Sequence, residues 1–113
     1  MSFEPLEYVR HILDEMNFLI KESTSLQKEI FLKDSVLQRA FIRSLEIIGE
    51  AAKKLPLDFR EKYPHIPWRN LCGVRDKLIH DYFGVDYEIV WDIVKNKLPE
   101  LKRDFELMFL ENK

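Results

Sequence analysis

Apolar residues recur along this chain at spacings of three and four, which is the signature of helices that bury one face. The first such run is Leu6, Val9, Leu13, Met16 and Ile20. Glu4-Pro5 precedes it, with Pro5 suited to a first helical position. Ser23-Thr24-Ser25 then offers a turn and a new cap, so the helix should end near Glu22. A short helical segment is expected around Leu26, Ile30 and Phe31. Asp34-Ser35 should open the longest helix, with Ser35 and Gln38 spaced as a capping box. That helix carries two adjoining stripes, Leu37, Phe41, Leu45, Ile48, Ala52 and Leu55 on one side, and Val36, Ala40, Ile47 and Ala51 beside it. One partner cannot cover so wide an apolar face, which implies the central helix of a bundle or part of a dimer face. Arg39, Arg43, Glu46 and Glu50 line the remaining surface, where pairs one turn apart are ordinary helix support.

Leu55-Pro56 ends the long helix. Pro56, Pro64 and Pro67 make the stretch from Leu57 to Pro67 a rigid connector. Ile66-Pro67-Trp68 leads into a further helix through Leu71, Val74, Leu78 and then Ile79 or Tyr82, stopped by Gly84 and Asp86. Asp86 should cap another helix through Val90, Val94 and Leu98, with Trp91 beside them. Pro99 kinks or restarts it, because Leu101, Phe105 and Met108 resume the spacing. There is no strand signal and no internal repeat. The expected fold is all-α, an up-and-down bundle of about five helices forming a single domain over residues 1–113.

One octet departs from this scaffold, Arg75-Asp76-Lys77-Leu78-Ile79-His80-Asp81-Tyr82. It combines a fixed cation, a titratable base and a phenol. On a continuous helix at about 100° per residue, Leu71, Val74, Leu78, Ile79 and Phe83 form an apolar arc with Arg75 and Tyr82 in its middle. Asp76 and His80, one turn apart, share its flank. An arginine in an apolar stripe needs a carboxylate, a phosphate or a second subunit, since an unpaired buried charge costs several kcal/mol.

Composition narrows the classes. With 113 residues and 46% apolar content, the chain can bury a real core. It has no run of roughly eighteen or more apolar residues, no signal peptide and no lipidation motif, so a soluble cytoplasmic protein is expected. Cys72 stands alone, which excludes an internal disulfide and a thiolate zinc cluster and suggests a small buried hydrophobe. His11 and His65 lie apart from other ligand types, so neither a metal nor another cofactor is expected. Three glycines provide no phosphate-binding loop, and Trp68 and Trp91 suit core or interface anchors. A net charge of −2 is wrong for a protein that grips nucleic acid over its whole surface. Its distribution says more. From Lys53 to Lys77, seven cations face three carboxylates, a local net of +4. Such a basic middle suits an anionic ligand or a local contact with RNA, although charge clusters are usually solvated faces.

Arg75 and His80, separated by four residues, resemble the Arg-x4-His signature of the HEPN superfamily, and extension to Tyr82 resembles the Arg-x4-His-x-Tyr form of its HepT-like branch. The similarity continues in Arg43-Ser44-Leu45-Glu46-Ile47-Ile48-Gly49-Glu50-Ala51-Ala52, Pro64-His65-Ile66-Pro67-Trp68, Gly73-Val74-Arg75 and Val90-Trp91, in the same order. It spans the chain from residue 36 onwards. The resemblance implies a small dimeric helical bundle acting as a metal-independent ribonuclease toxin. It also implies a partner antitoxin, a minimal nucleotidyltransferase of the MntA kind, which transfers AMP to the motif tyrosine. On these positions Arg75 and His80 would be catalytic and Tyr82 would be the modified residue. Asp76 stands where many relatives have asparagine, and would be accessory to catalysis through its hold on His80.

Metal-free RNA cleavage needs a base for the 2′-hydroxyl proton, an acid for the leaving 5′-oxygen and a cation for the phosphorane. Imidazole can be base or acid near neutrality, and guanidinium presents a fork to phosphate oxygens. Lys77 and Arg69 are candidate contacts to phosphate or RNA. On a straight helix Arg75 and His80 diverge by about 140°, and one chain has only one His80. A composite site at a two-fold homodimer interface would supply two of each. Simpler readings stand beside these: His80 bonded to Asp76, Arg75 paired with Glu46 or Glu50, and Tyr82 as a core phenol. The alternative function is a non-catalytic module that binds a nucleotide or docks the nucleotidyltransferase.

Overall fold

The computed structural model describes residues 4–78 and 84–113. The chain opens with α1 (Pro5–Ser23), α2 (Lys28–Phe31) and α3 (Ser35–Lys54). Next come α4 (Leu57–Glu61), α5 (Trp68–Cys72), α6 (Val74–Leu78) and α7 (Tyr87–Asp92). A π-helical turn over Ile93–Lys97 then leads into α8 (Leu98–Asn112). The all-α expectation holds: among the described residues, α1, α3 and α8 are long and the remaining helices are short.

The start of α1 shares clefts with the ends of both α3 and α8, so α1 runs antiparallel to each. Its buried Val9, Ile12, Met16 and Leu19 join Phe41, Leu45, Ile48 and Ala52 of α3 and Phe105 and Met108 of α8 in one core. α3 also packs against α5 and α6, so its wide apolar face is divided among several neighbours of the same chain. Val36 nevertheless stays exposed.

Local chemistry sets the boundaries. Asp34, rather than Ser35, caps α3: one carboxylate oxygen accepts from the amides of Val36 and Leu37, each at 3.0 Å. Gln38 donates instead to the Phe31 carbonyl, so no capping box forms. Within the connector, α4 forms one helical turn. Arg60 Nε donates to the Leu55 carbonyl at 2.9 Å, and Trp68 Nε1 donates to the carbonyls of Arg60 and Tyr63. The Arg60 and Tyr63 carbonyls also accept the amides of Tyr63 and Ile66, so Trp68 Nε1 ties the start of α5 to a connector already held by its own turns. Asp86 caps α7 through the amides of Glu88 and Ile89, as its spacing suggested.

Pro99 explains the π turn. It has no N–H for the preceding helical turn and its ring crowds the carbonyl four residues back. The Leu98 amide bonds to the Ile93 carbonyl, widening that turn before α8 starts with Pro99 in its first turn. Lys95 on the wide turn donates to the Ser23 carbonyl at 2.9 Å, covering the end of α1. Among the described residues, no helix is long and apolar enough to cross a membrane.

Candidate functional site

Arg69 lies on α5, and Arg75, Asp76 and Lys77 lie on α6, both helices seated against α3, whose last turn carries Lys53 and Lys54 of the same basic span. Gly49 makes this seat possible. A Cβ built there would lie 3.0 Å from the Leu71 carbonyl oxygen and 3.2 Å from Val74 Cγ1. Without a side chain the α3 backbone approaches this closely with no neighbour having to give way.

The helix expected over 71–82 is not continuous where it is described. Gly73 interrupts it with a turn, its N–H bonding to the Arg69 carbonyl at 3.0 Å. α6 restarts at Val74 and buries Val74 and Leu78, one turn apart. The Arg75 side chain is 70% exposed rather than central to an apolar arc. The buried residues are Leu71, Val74 and Leu78, which keep the helical spacing across Gly73, and Arg75 lies beyond the edge of the face they define. Arg75 Nε lies 3.6 Å from Glu46 Oε2, and the Glu46 side chain is only 24% exposed. Of the two candidate carboxylates, Glu46 takes Arg75, while Glu50 lies 3.9 Å from Arg43 Nη1.

Asp76 is exposed on α6 and Arg69 is exposed on α5. The backbone of Lys77 belongs to α6, but its side chain lies outside the described residues, as do His80 and Tyr82. The Asp86 amide donates to the Leu78 carbonyl at 3.0 Å, which brings the two ends flanking 79–83 together. Cys72 is half-buried, with its Sγ 3.8 Å from Arg60 Nη1. His65 lies 3.9 Å from Asp104, away from the motif. Among the described residues, no group of three or more His, Cys, Asp or Glu side chains could hold a metal ion.

Glu46, Gly49, Lys53, Cys72, Val74 and Arg75 border a cleft of about 90 Å³ between α3 and the α5–α6 pair. A larger groove of about 310 Å³ lies on another side of Val74, lined by Leu71, Ile89, Ile93 and Leu101 with Lys97 and Asp92. The sequence offers Glu46 and Glu50 alike as partners for Arg75, and spacing alone does not choose between them. A glycine in the middle of a long helix was the available signal, because it costs up to about 1 kcal/mol relative to alanine and points to a close approach.

No solved structure matches this chain. It is 50% identical over 109 residues to a protein of Caldanaerobacter subterraneus subsp. tengcongensis named as a candidate RNase, covering 96% of this chain and 97% of the relative. A protein of Methanocaldococcus jannaschii, also named as a candidate RNase, is 48% identical over 99 residues, covering 88% of this chain and 82% of its own. A protein named probable ribonuclease HepT from Thermococcus cleftensis is 45% identical over 100 residues, covering 88% and 91%. The model of the ribonuclease HepT-like family matches residues 12–108, and the chain belongs to that family.

Proposed function

We propose that this chain is the toxin of a toxin–antitoxin pair, a metal-independent endoribonuclease in which Arg75 and His80 carry the cleavage. The exposed Arg75 guanidinium, fixed on a short helix beside Glu46, is the observation that carries this reading. A phosphate can reach it, and guanidinium donors stabilise the charge that builds on a phosphorane. His80 takes the 2′-hydroxyl proton, the 2′-oxygen attacks phosphorus, and the 5′-oxygen leaves as it receives a proton. The products are a 2′,3′-cyclic phosphate and a 5′-hydroxyl. Asp76 is accessory to His80, while Lys77 and Arg69 contact the RNA backbone.

Proton removal and proton delivery are two tasks, and each chain has one motif histidine. A homodimer with a composite site supplies the second. Arg75, exposed beside Glu46, does not itself call for a second subunit. Tyr82 is the acceptor of AMP from an MntA-like nucleotidyltransferase, which silences cleavage by placing an anionic group next to the site.

Cleavage of RNA in excess EDTA tests the enzyme. His80→Ala should abolish it with folding and oligomeric state intact. A His80→Ala protein that binds RNA as the parent does, where the parent itself cleaves nothing, would leave only the non-catalytic binding module. Intact-mass measurement with and without the nucleotidyltransferase tests the switch. One or more AMP adducts should appear on the parent and disappear in Tyr82→Phe; a persistent adduct on that variant would refute the assignment.

A further inference from the structure

We propose that Glu46 is a positioning residue for Arg75, an inference that rests on the ribonuclease reading above. Most surface arginine–carboxylate contacts carry no such weight, because both side chains wander and the pair is screened. This one differs in its anchorage. Glu46 is mostly covered on α3, and one turn further along the same helix Gly49 meets the Leu71 carbonyl and Val74. Val74 directly precedes Arg75. The helix bearing the carboxylate and the helix bearing the guanidinium are thus held at a fixed spacing by backbone approach within one turn of both residues.

The direction of the contact decides what it can do. Glu46 meets Arg75 through Nε, at 3.6 Å. A guanidinium offers its donors in a planar fork. With the Nε side turned toward Glu46, the edge formed by Nη1 and Nη2 is left for a phosphate. Glu46 therefore orients the cation without occupying its phosphate-binding edge. The 70% exposure of Arg75 leaves that edge open to a phosphate from solvent. Glu50 borders the same cleft but pairs with Arg43, at 3.9 Å, and not with Arg75.

A double-mutant cycle on the full chain tests this, with Glu46→Gln, Arg75→Ala and the double variant assayed for RNA cleavage in EDTA and for melting temperature. Glutamine keeps the size of the side chain and removes its charge. Glu46→Gln should lower kcat on the order of 10- to 100-fold, the range that misplacement of a reacting group produces, with little change in KM or melting temperature. In the Arg75→Ala background the same substitution should change nothing further, because the role of Glu46 runs through Arg75. Three outcomes overturn it: an unimpaired Glu46→Gln enzyme, a faster one, which would make Glu46 a competitor of RNA for the guanidinium, or an equal loss in both backgrounds. In each of these the inactivity of Arg75→Ala still supports the ribonuclease reading. A parent chain that cuts no RNA, or an Arg75→Ala chain that cuts it at the parental rate, overturns both.

Discussion

Helix α3 has two kinds of neighbour on two of its sides. Along one side, Phe41, Leu45, Ile48 and Ala52 are wholly or almost wholly buried in the core shared with Val9, Ile12, Met16 and Leu19 of α1. Along the other, Glu46, Gly49 and Lys53 face the α5–α6 pair across a narrow cleft. The first side is held by filled volume, and the second is shaped by an absent side chain and a charge. Hydrophobic packing tolerates exchange of one apolar shape for another. A glycine seat under a backbone carbonyl admits a side chain only if the carbonyl gives way, and that close approach keeps Arg75 in register with Glu46.

Substitutions on the two sides should therefore fail differently. The largest loss of stability belongs to the apolar side: Phe41→Ala should cost about 3–5 kcal/mol in urea unfolding, the usual range for emptying a buried aromatic site. If the chain still folds, its cleavage per folded molecule should change little. Gly49→Val should cost less, about 1–3 kcal/mol, yet it should abolish cleavage, because α5–α6 must shift to clear the Leu71 carbonyl. Equal stability and activity losses in Phe41→Ala and Gly49→Val would erase the distinction between the two sides. Asp34→Ala should be milder, about 1 kcal/mol for a lost N-cap, with no effect on catalysis. Were Ser35 the true cap, Ser35→Ala would carry that loss instead.

Both sides of α3 were unequally legible in the amino-acid sequence. Helices α1, α3 and α8 follow from their apolar spacing, since burial of one face is a local, periodic signal. Asp86 as a cap was equally local. The choice of Asp34 over Ser35 was not, because both are good caps and Gln38, the partner Ser35 would have needed, bonds to Phe31. Helix α4 is hidden among prolines and depends on Arg60 reaching back to Leu55. The π turn arises from a missing donor at Pro99, which sequence marks as a disturbance without saying what form it takes.

At the site, the identity of Arg75 and its pairing with Glu46 or Glu50 were readable, and its exposure and the choice between the two carboxylates were not. Its exposure follows from a buried face confined to Leu71, Val74 and Leu78, narrower than the apolar arc the sequence suggests. Its partnership with Glu46 joins residues far apart in the chain and exists only because α5–α6 sits on α3. Resemblance supplied the roles of His80 and Tyr82, which lie outside the described residues, and the family match carries the ribonuclease class.

The most direct measurement is the rate of RNA cleavage in EDTA by Arg75→Ala beside the parent chain, with melting temperature as the control for folding. An exposed guanidinium that serves phosphate chemistry predicts an active parent and a variant that melts normally and cuts RNA at least on the order of 100-fold more slowly, the scale on which a lost transition-state donor is felt. A variant that cuts at the parental rate would make Arg75 an ordinary surface partner of Glu46, and would contradict the site described here.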